Sequence, residues 1–307
     1  MMFFRRKIKL PKSVVSGWLP SVDGHQIYYH TYGNPDGTPV LCFHGGPGGS
    51  SKAKHAMRFN LKKYYVIMFD QRGCGKSKYD DLLYKNTPSD AVADGMRLLQ
   101  HLGIDGQVIA NGGSYGSLVA LLFAQKYPKM VSKIWVASIF LGRRHDVQEW
   151  QERDAMRFYP DFIVELQKMA GKKSVSEYFA SLLFSGNPSQ ERLALQYYGS
   201  LEGIVGALEP SFSLPDDMDY TDELRSLKIM TNMTINNFFM QDNQIIKNAS
   251  KIKHIPTVIV HNRLDMCCPF EQAWQLHNAL PASELITVPS HGHGSDKMNE
   301  VLKQLYS

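Results

Sequence analysis

The sequence predicts an α/β fold in which a mostly parallel sheet is flanked by helices and interrupted by an inserted helical segment. Short strand-like runs alternate with helical stretches in the first third of the chain, which is typical of parallel sheets. These runs are apolar almost throughout, as expected for strands buried on both faces. The middle region has helical periodicity and few strand-like runs. We therefore expect a core formed by residues 1–141 and 251–307, with a helical cap at 142–250.

The individual elements follow from local patterns of β-branched, aromatic and turn residues. An Asn-Pro-Asp-Gly turn at 34–37 separates the first two strands. A helix is predicted at roughly 89–102, where Val92, Met96, Leu99 and Leu102 recur at helical spacing. The predicted strands before and after the cap are 26–29, 40–43, 65–69, 107–110, 257–260 and 285–288.

Composition and charge exclude several classes of function. The 307 residues carry 34 Lys and Arg against 29 Asp and Glu, a net charge of +5 without long charged blocks, so no nucleic-acid partner is indicated. No apolar run approaches the roughly 20 residues that span a bilayer, and the first residues do not resemble a secretory signal. Four cysteines are too few for a disulfide framework. We expect a cytoplasmic protein without a membrane partner; a homo-oligomer remains open.

One motif carries the chemistry. Residues 112–116 read Gly-Gly-Ser-Tyr-Gly, which matches G-x-S-x-G between a predicted strand and a predicted helix at 117–124. Such a turn exposes a serine, here Ser114, above a helix N-terminus that favours developing negative charge. The alternative, an ordinary Gly-Ser turn, is less favoured because both flanking elements are present. Ser114 is the predicted nucleophile.

A serine nucleophile needs a base and a carboxylate that orients the base. In this kind of fold the partners follow in the order Ser, Asp or Glu, His. Asp265 follows one of the late predicted strands and His293 follows the next, so both are expected near Ser114. Position alone does not separate His293 from His291. A metal role for the His-Gly-His fragment is not expected, because no third ligand lies near it in sequence, and no cofactor is predicted.

Two glycine-containing loops were considered as binding sites, and only one of them is expected to have such a role. Residues 44–49, His-Gly-Gly-Pro-Gly-Gly, follow a strand and are suited to an oxyanion hole, whose second donor is the backbone N–H of Tyr115. Residues 73–77 resemble the end of a phosphate-binding loop, but Asp70 stands where that motif requires glycine. We therefore exclude a nucleotide role there and expect Asp70 to anchor the adjacent turn.

Taken together, these residues resemble the proline iminopeptidase (prolyl aminopeptidase) family. The similarity covers nearly the whole chain and rests on the segments 22–28, 33–35, 44–49, 70–77, 112–117, 261–269 and 292–293. The resemblance implies an α/β-hydrolase fold with a helical cap. It also implies release of an N-terminal proline through an acyl-enzyme formed by Ser114, with His293 as base, Asp265 as its partner, and the N–H groups of Gly46 and Tyr115 as oxyanion donors. Gly292-His293 matches the family and selects His293 over His291.

Recognition of the substrate amine is where the sequence departs from this family. Glu202 resembles one of the cap glutamates that bind the amine, whereas Ile235 stands where a second glutamate is expected and Ala137 near a position that holds arginine. Tyr115 replaces a tryptophan. The resemblance assigns Phe140 and Cys268 to the substrate pocket.

Two functions therefore compete. The first is a serine aminopeptidase that releases proline or another small residue from a short peptide. The second is an esterase, lactonase or amidase that uses the same three residues on a neutral small acyl substrate, as the missing charged positions suggest. A binding protein without activity is disfavoured because Ser114, Asp265 and His293 are all present.

Overall fold

The computed structural model describes residues 10–207, 214–215 and 218–307, and only the backbone of 202, 204, 206 and 207. The strands in this part of the chain are β1 (Ser16–Trp18), β2 (His25–Gln26), β3 (Tyr28–Gly33), β4 (Thr38–Phe43), β5 (Tyr64–Phe69), β6 (Lys78–Tyr79), β7 (Val108–Ser114), β8 (Val131–Ile139), β9 (Thr257–Leu264) and β10 (Ser283–His291). The helices are α1 (Ala53–Ala56), α2 (Pro88–His101), α3 (Tyr115–Lys126), α4 (Pro160–Ala170), α5 (Val175–Leu183), α6 (Pro188–Ala207), α7 (Thr221–Ile235), α8 (Gln244–Lys247), α9 (Phe270–Ala279) and α10 (Asp296–Leu305).

A mostly parallel sheet organises the molecule. Within the described residues its strand order is β1-β3-β5-β4-β7-β8-β9-β10, and β2 and β6 form a separate antiparallel pair. Strand β3 pairs antiparallel with both β1 and β5. Along the rest of the sheet, in the order β5-β4-β7-β8-β9-β10, every neighbouring pair is parallel. Because parallel strands end at the same edge, the loops after β4, β7, β8, β9 and β10 meet there.

Alternation of side chains explains why both faces of the sheet are covered. In β4, Leu41 and Phe43 belong to one buried cluster, and Val40 and Cys42 belong to the cluster on the opposite face. The first face packs against α2, α3 and α9, and the second against α1 and α10. The predicted sheet, buried on both sides, is confirmed.

Helix starts are set by local capping. Thr87 accepts a hydrogen bond from Asp90 N, and the Asp90 carboxylate accepts one from Thr87 N, which begins α2 ahead of Pro88. Ser174 and Glu177 form the same reciprocal pair at the start of α5. Each such cap typically contributes about 1 kcal/mol.

The region between β8 and β9 forms a helical layer with a core of its own. Side chains from α4, α5, α6 and α7 make a third buried cluster that includes Phe162, Phe179 and Tyr198. The later part of this region packs on the sheet instead, since Ile245 and Ala249 lie in the same cluster as Leu118. No strand interrupts the described residues of 142–250, in agreement with the predicted helical insertion.

The structure also corrects several strand limits. The predicted strand 26–29 is split at Ile27 because His25–Gln26 pairs with β6 and Tyr28–Gly33 with β5. Strands β9 and β10 run further than their apolar cores, to Leu264 and His291. The central strand β8 was not singled out from the sequence. None of the helices in the described part of the chain has the length and hydropathy that a membrane span requires.

Candidate active site

The sharp turn at Ser114 is built by close backbone packing. Strand β7 ends at Ser114, α3 begins at the next residue, and Ser114 has φ 58° and ψ −132°, a strained conformation for a residue with a Cβ. A Cβ at Gly112 would overlap the carbonyl oxygen of Gly116, and one at Gly116 would overlap that of Phe43. Both glycines are therefore required for the strand, the turn and the helix to pack together.

Asp265 and His293 are joined directly. Asp265 is 2% exposed and its Oδ2 lies 2.9 Å from His293 Nδ1, while Oδ1 accepts hydrogen bonds from the backbone N–H groups of Cys267 (3.0 Å) and Cys268 (2.9 Å). The carboxylate is therefore fixed by the chain that follows β9. Because Nδ1 of His293 faces Asp265, Nε2 is the ring nitrogen on the side away from the carboxylate.

Neither neighbouring histidine occupies the same position. His291 ends β10 and is exposed. His261 lies 3.6 Å from Asp265, but its Nδ1 accepts a hydrogen bond from Ile139 N and its Nε2 donates one to Cys268 O. Burial lowers the pKa of His261, which keeps the ring neutral. His293 is therefore the imidazole that combines a carboxylate partner with a position on a cavity.

Ser114 and His293 line one cavity of about 840 Å³ at the carboxyl edge of the sheet. The loop that carries His293 is held by two contacts that the sequence did not indicate. Ser138 Oγ donates to His293 O at 2.9 Å, and Asn262 Nδ2 donates to Gly292 O at 2.9 Å. Both residues lie on strands next to the site. Their polar character at strand ends is the only signal that the sequence offers for them.

The glycine loop lies directly against Ser114. A Cβ at Gly45 would lie 3.3 Å from Ser114 Cβ, and Gly46 has φ 126°. His44 fixes the start of the loop, because its Nε2 accepts from Gln71 N (3.0 Å) and its carbonyl oxygen from Gln71 Nε2 (2.9 Å). The start of the loop is thus fixed beside Ser114.

Tyr115 presents its backbone to the site and its ring to the core. It is the first residue of α3, a position whose N–H has no acceptor within the helix. The ring is 2% exposed and lies near Phe238, with 6.4 Å between centroids. Burial raises the pKa of the Tyr115 hydroxyl well above its usual value, so the side chain is neutral.

The predicted pocket residues Phe140 and Cys268 line a second, narrow cavity of about 20 Å³ that also reaches Ser114. Phe140 packs edge to face on Phe238, with ring centroids 5.0 Å apart. The side chain of Glu202 lies outside the described residues, although its backbone belongs to α6. In the segment where a second glutamate was expected, Thr234 and not Ile235 lines the cavity. Ala137 lines the larger cavity.

A buried acid in the cap was missed from the sequence. Glu152 is 4% exposed and accepts a hydrogen bond from Ser176 N at 3.2 Å. Burial raises its pKa to about 7, although hydrogen bonds from Ser176 and from the Tyr198 hydroxyl stabilise the charged form and act in the opposite direction. Tyr198 lines the narrow cavity, so this carboxyl group lies one residue behind its wall. Nothing in the local pattern distinguishes Glu152 from the exposed acids around it.

The surroundings of the site bear on two further expectations, for Asp70 and for metal ligands. Asp70 accepts hydrogen bonds from Ser51 N (2.8 Å) and Lys76 N (2.8 Å), so it ties two loops together, as expected of a turn anchor. For metal ligands, proximity in sequence differs from proximity in space. The ligand atoms of Cys267, Cys268 and His293 lie within 4.8 Å of one another.

The family to which the chain belongs follows from comparison with known proteins. The pattern of the α/β hydrolase fold family matches residues 38–295. A probable proline iminopeptidase of Leptolyngbya boryana is 37% identical over 91% of this chain and 88% of its own. The proline iminopeptidase of Neisseria gonorrhoeae is 34% identical over 91% of this chain and 90% of its own.

Solved structures agree on the fold. An esterase of Exiguobacterium antarcticum superimposes with a TM-score of 0.64 at 21% identity, over 95% of this chain and 98% of its own. A proline iminopeptidase-related protein of Thermus thermophilus superimposes with a TM-score of 0.60 at 18% identity, over 94% of this chain and 96% of its own. The predicted fold, a mostly parallel sheet flanked by helices with an inserted helical cap, is therefore confirmed. The chain belongs to the proline iminopeptidase family of α/β-hydrolase-fold serine hydrolases.

Proposed function

We propose that this protein is a serine aminopeptidase that releases proline, or another small residue, from the N-terminus of short peptides. The observation that carries the proposal is the 2.9 Å contact between Asp265 and His293 Nδ1, on the cavity that Ser114 also lines. Nucleophile, base and orienting carboxylate are the groups that acyl transfer requires. The names of the relatives favour a peptide as the substrate.

In the proposed mechanism, His293 Nε2 takes the proton of Ser114 as Oγ attacks the carbonyl carbon of the first residue. The same nitrogen then gives the proton to the leaving amine, and a water repeats the sequence to release the acid. Asp265 keeps the proton of the imidazole on Nδ1 and stabilises the imidazolium. The N–H groups of Gly46 and Tyr115 bind the oxyanion, each contributing about 3 kcal/mol in the transition state.

The lining of the narrow cavity favours an apolar acyl group. Phe140, Phe238 and Cys268 supply apolar and weakly polar walls next to Ser114. The free volume of about 20 Å³ is enough for roughly one water molecule, so these walls must move apart to admit a larger group. A pyrrolidine ring presents apolar CH₂ groups to such walls. We propose that Phe140 and Cys268 contact this ring. Glu202 stays a prediction for the amine, because it rests on the resemblance alone.

One observation favours the second function, hydrolysis of a neutral ester, lactone or amide. Among the described side chains, those that line the narrow cavity carry no formal charge. A free ammonium group in a cavity without an anion loses its hydration without compensation. A neutral acyl group does not incur this cost, so a pocket of this kind accepts it readily.

Comparing matched substrates separates the two functions. We expect faster turnover of proline p-nitroanilide than of its N-acetylated form, because acetylation removes the ammonium group that an aminopeptidase binds and adds bulk beside the residue to be released. Ser114→Ala should abolish turnover and labelling by a fluorophosphonate probe, whereas His291→Ala should retain both. Equal turnover of free and N-acetylated substrate, or reaction with p-nitrophenyl acetate and a lactone alone, would overturn the aminopeptidase proposal in favour of the second function.

A further inference from the structure

Two cavities share Ser114, and among their described lining residues the proposed base belongs to one of them only. Phe140 and Cys268 line the narrow cavity with Ser114, whereas His293 lines the larger cavity of about 840 Å³ with it. In the proposed mechanism His293 gives a proton to the leaving amine, which requires that amine to lie beside the ring. With the acyl group in the narrow cavity, the leaving part of the substrate therefore extends into the larger cavity.

The wall of the larger cavity that follows the glycine loop is basic. Lys52, Lys54 and Arg58 line it, from the residue before α1 to the second residue after it. Burial and then these three charges lower the pKa of His55 to about 4, so the cations lie close together around a neutral ring. Within the described part of the chain, no carboxylate forms an ion pair with any of the three cations.

The acidic groups of the cavity do not balance these cations. Helix α7 contributes Asp222 and Glu223 to the lining, but it also contributes Arg225, whose Nη1 lies 2.9 Å from Asp222 Oδ1. The described lining thus has four cationic side chains against two carboxylates. A cleft with an excess of one charge concentrates ligands of the opposite charge. A leaving group that carries a carboxylate is therefore favoured over a neutral or cationic one.

The basic wall begins close to the nucleophile. A Cβ at Gly45 would lie 3.3 Å from Ser114 Cβ, and a Cβ at Gly49 would lie 2.5 Å from Gly45 O, so the glycine loop folds back beside Ser114. Lys52 follows Gly49 by three residues, and their Cα atoms are therefore at most about 11 Å apart. A short leaving group can span such a distance.

Arg58 extends the basic wall to the floor of the cavity. Burial raises the pKa of the Cys42 thiol and of the Tyr306 hydroxyl, and the charge of Arg58 acts against both increases. Cys42 and Tyr306 line the cavity, so the guanidinium lies near its floor. A guanidinium can hold a carboxylate through two parallel hydrogen bonds, which is the strongest form of this interaction.

We propose that Lys52, Lys54 and Arg58 form a subsite that binds a carboxylate of the leaving group, so that the preferred substrates are short proline peptides whose departing part is anionic. The carboxylate is the C-terminus of the peptide or the side chain of an acidic second residue. This inference rests on the proposed function and extends it to the leaving side of the scissile bond. The bond that is cleaved and the proton transfers are those of the mechanism above.

Three dipeptides that differ in where a carboxylate stands test the subsite on the unmodified full-length protein. We expect a higher kcat/KM for Pro-Ala than for Pro-Ala-NH₂ at low ionic strength. The ratio of the two should fall at least about twofold when about 0.5 M salt is added, because salt screens exposed charges. Pro-Asp-NH₂ carries a carboxylate on its side chain only. Turnover like that of Pro-Ala would assign the subsite to either carboxylate, and turnover like that of Pro-Ala-NH₂ would assign it to the C-terminus.

Substitutions then identify the cations involved. Arg58→Gln, and Lys52→Gln combined with Lys54→Gln, should each lower the ratio for Pro-Ala over Pro-Ala-NH₂ at least about threefold. The ratio is compared between proteins because the two leaving amines differ in basicity by the same amount in each. Lys129→Gln and Arg157→Gln remove the same charge at exposed positions outside the described lining and should leave the ratio unchanged. Circular dichroism checks that each variant is folded.

The possible failures of this inference and of the proposed function are distinguishable. A ratio that is lowered neither by salt nor by any of these variants, or that falls as far in Lys129→Gln as in Arg58→Gln, would overturn the subsite and leave the aminopeptidase function in place. Faster turnover of Pro-Lys-NH₂ than of Pro-Ala would also overturn it, since the acids of α7 would then select the leaving group. Absence of turnover for every proline peptide, with p-nitrophenyl acetate still hydrolysed, would contradict the proposed function itself and this inference with it.

Discussion

At the scale of single residues, Asp265 gives the sharpest prediction for activity. It faces His293 Nδ1 and two backbone N–H groups, so all its described partners are donors. Asp265→Asn places an amide N–H₂ against one of these donors and removes the charge that stabilises the imidazolium. We expect kcat to fall about 10⁴-fold with the fold retained, as when the wrong tautomer of a catalytic histidine is favoured. Steady-state kinetics and fluorophosphonate labelling measure the loss.

Asp70→Asn provides the control for this prediction. Asp70 is also a buried carboxylate that follows a strand and accepts backbone N–H groups, but it joins two loops and does not touch His293. Its replacement should lower stability while changing kcat less than about tenfold. Comparable losses of kcat in both variants would show that Asp265 acts only through folding.

Motif and chain order were sufficient to nominate Ser114, Asp265 and His293 from the sequence, because each follows a strand at the same edge. Ser138 could not be found in this way, since its contact with His293 O joins residues 155 positions apart. Similarly, only the packing of the end of α7 decides that Thr234 and not its neighbour Ile235 lines the cavity. Local pattern thus predicts what a turn exposes, whereas supporting contacts depend on the assembled sheet.

At the scale of elements, the approach of α3 to β4 gives a clear prediction. Gly→Ala within a helix normally stabilises by up to about 1 kcal/mol. At Gly116, however, the new Cβ would lie 2.8 Å from His44 O and overlap Phe43 O. We expect Gly116→Ala to lower the free energy of unfolding by at least about 2 kcal/mol, because strand and helix must separate. Urea denaturation measures the change.

Gly203→Ala is the matched control in α6. A Cβ there meets no atom of the described residues within 4 Å, and the residue is exposed. This substitution should therefore be neutral or stabilising by up to about 1 kcal/mol. If Gly116→Ala behaved in the same way, the close packing that shapes the turn at Ser114 would be disproved.

Among the elements, the apolar strands and the capped helix α2 were predictable because local propensity agrees with tertiary burial. The split at Ile27 was not, since the partner of His25 is Tyr79, which lies beyond three further strands in the sequence. In strand β8 the polar residues Ser132 and Lys133 separate the buried Val131 from the buried run 134–139, which weakens the apolar pattern of the strand. Pairing partners distant in sequence therefore determine where strands start and stop.

At the scale of the whole molecule, the cap is attached to the core next to the site. A Cβ at Gly48 would lie 2.7 Å from the Cα of Ser226, so the glycine loop and α7 are in close contact. Helix α7 joins the cap to the core, because Leu227 lies in the cap cluster whereas Ile229 and Met233 lie in a sheet cluster. Domain limits at 141 and 250 stay predictions.

A buried acid in the cap predicts how the stability of this region depends on pH. Burial raises the pKa of Glu152 from an ordinary 4.5 to about 7. Because the folded pKa exceeds the unfolded one, the protonated acid favours folding: its contribution is complete below about pH 4.5 and is lost as the pH rises through about 7. Above pH 7 the charged acid destabilises the folded state by up to roughly 3 kcal/mol.

Glu152→Gln removes this dependence, because a neutral amide keeps an oxygen that can accept the hydrogen bond of Ser176 N. We expect the variant to match the unmodified protein near pH 4 and to exceed it in stability at pH 8. Hydrogen exchange of the amides in α5 and α6, followed at both pH values, reports on the cap itself. Glu177 is an exposed acid of the same helical layer and serves as the control. Glu177→Gln should alter only the cap at the start of α5, where Glu177 accepts a hydrogen bond from Ser174 N, and should leave the pH dependence of the cap region in place. If the stability difference between Glu152→Gln and the unmodified protein were the same at pH 4 and pH 8, Glu152 would not be the buried group that titrates.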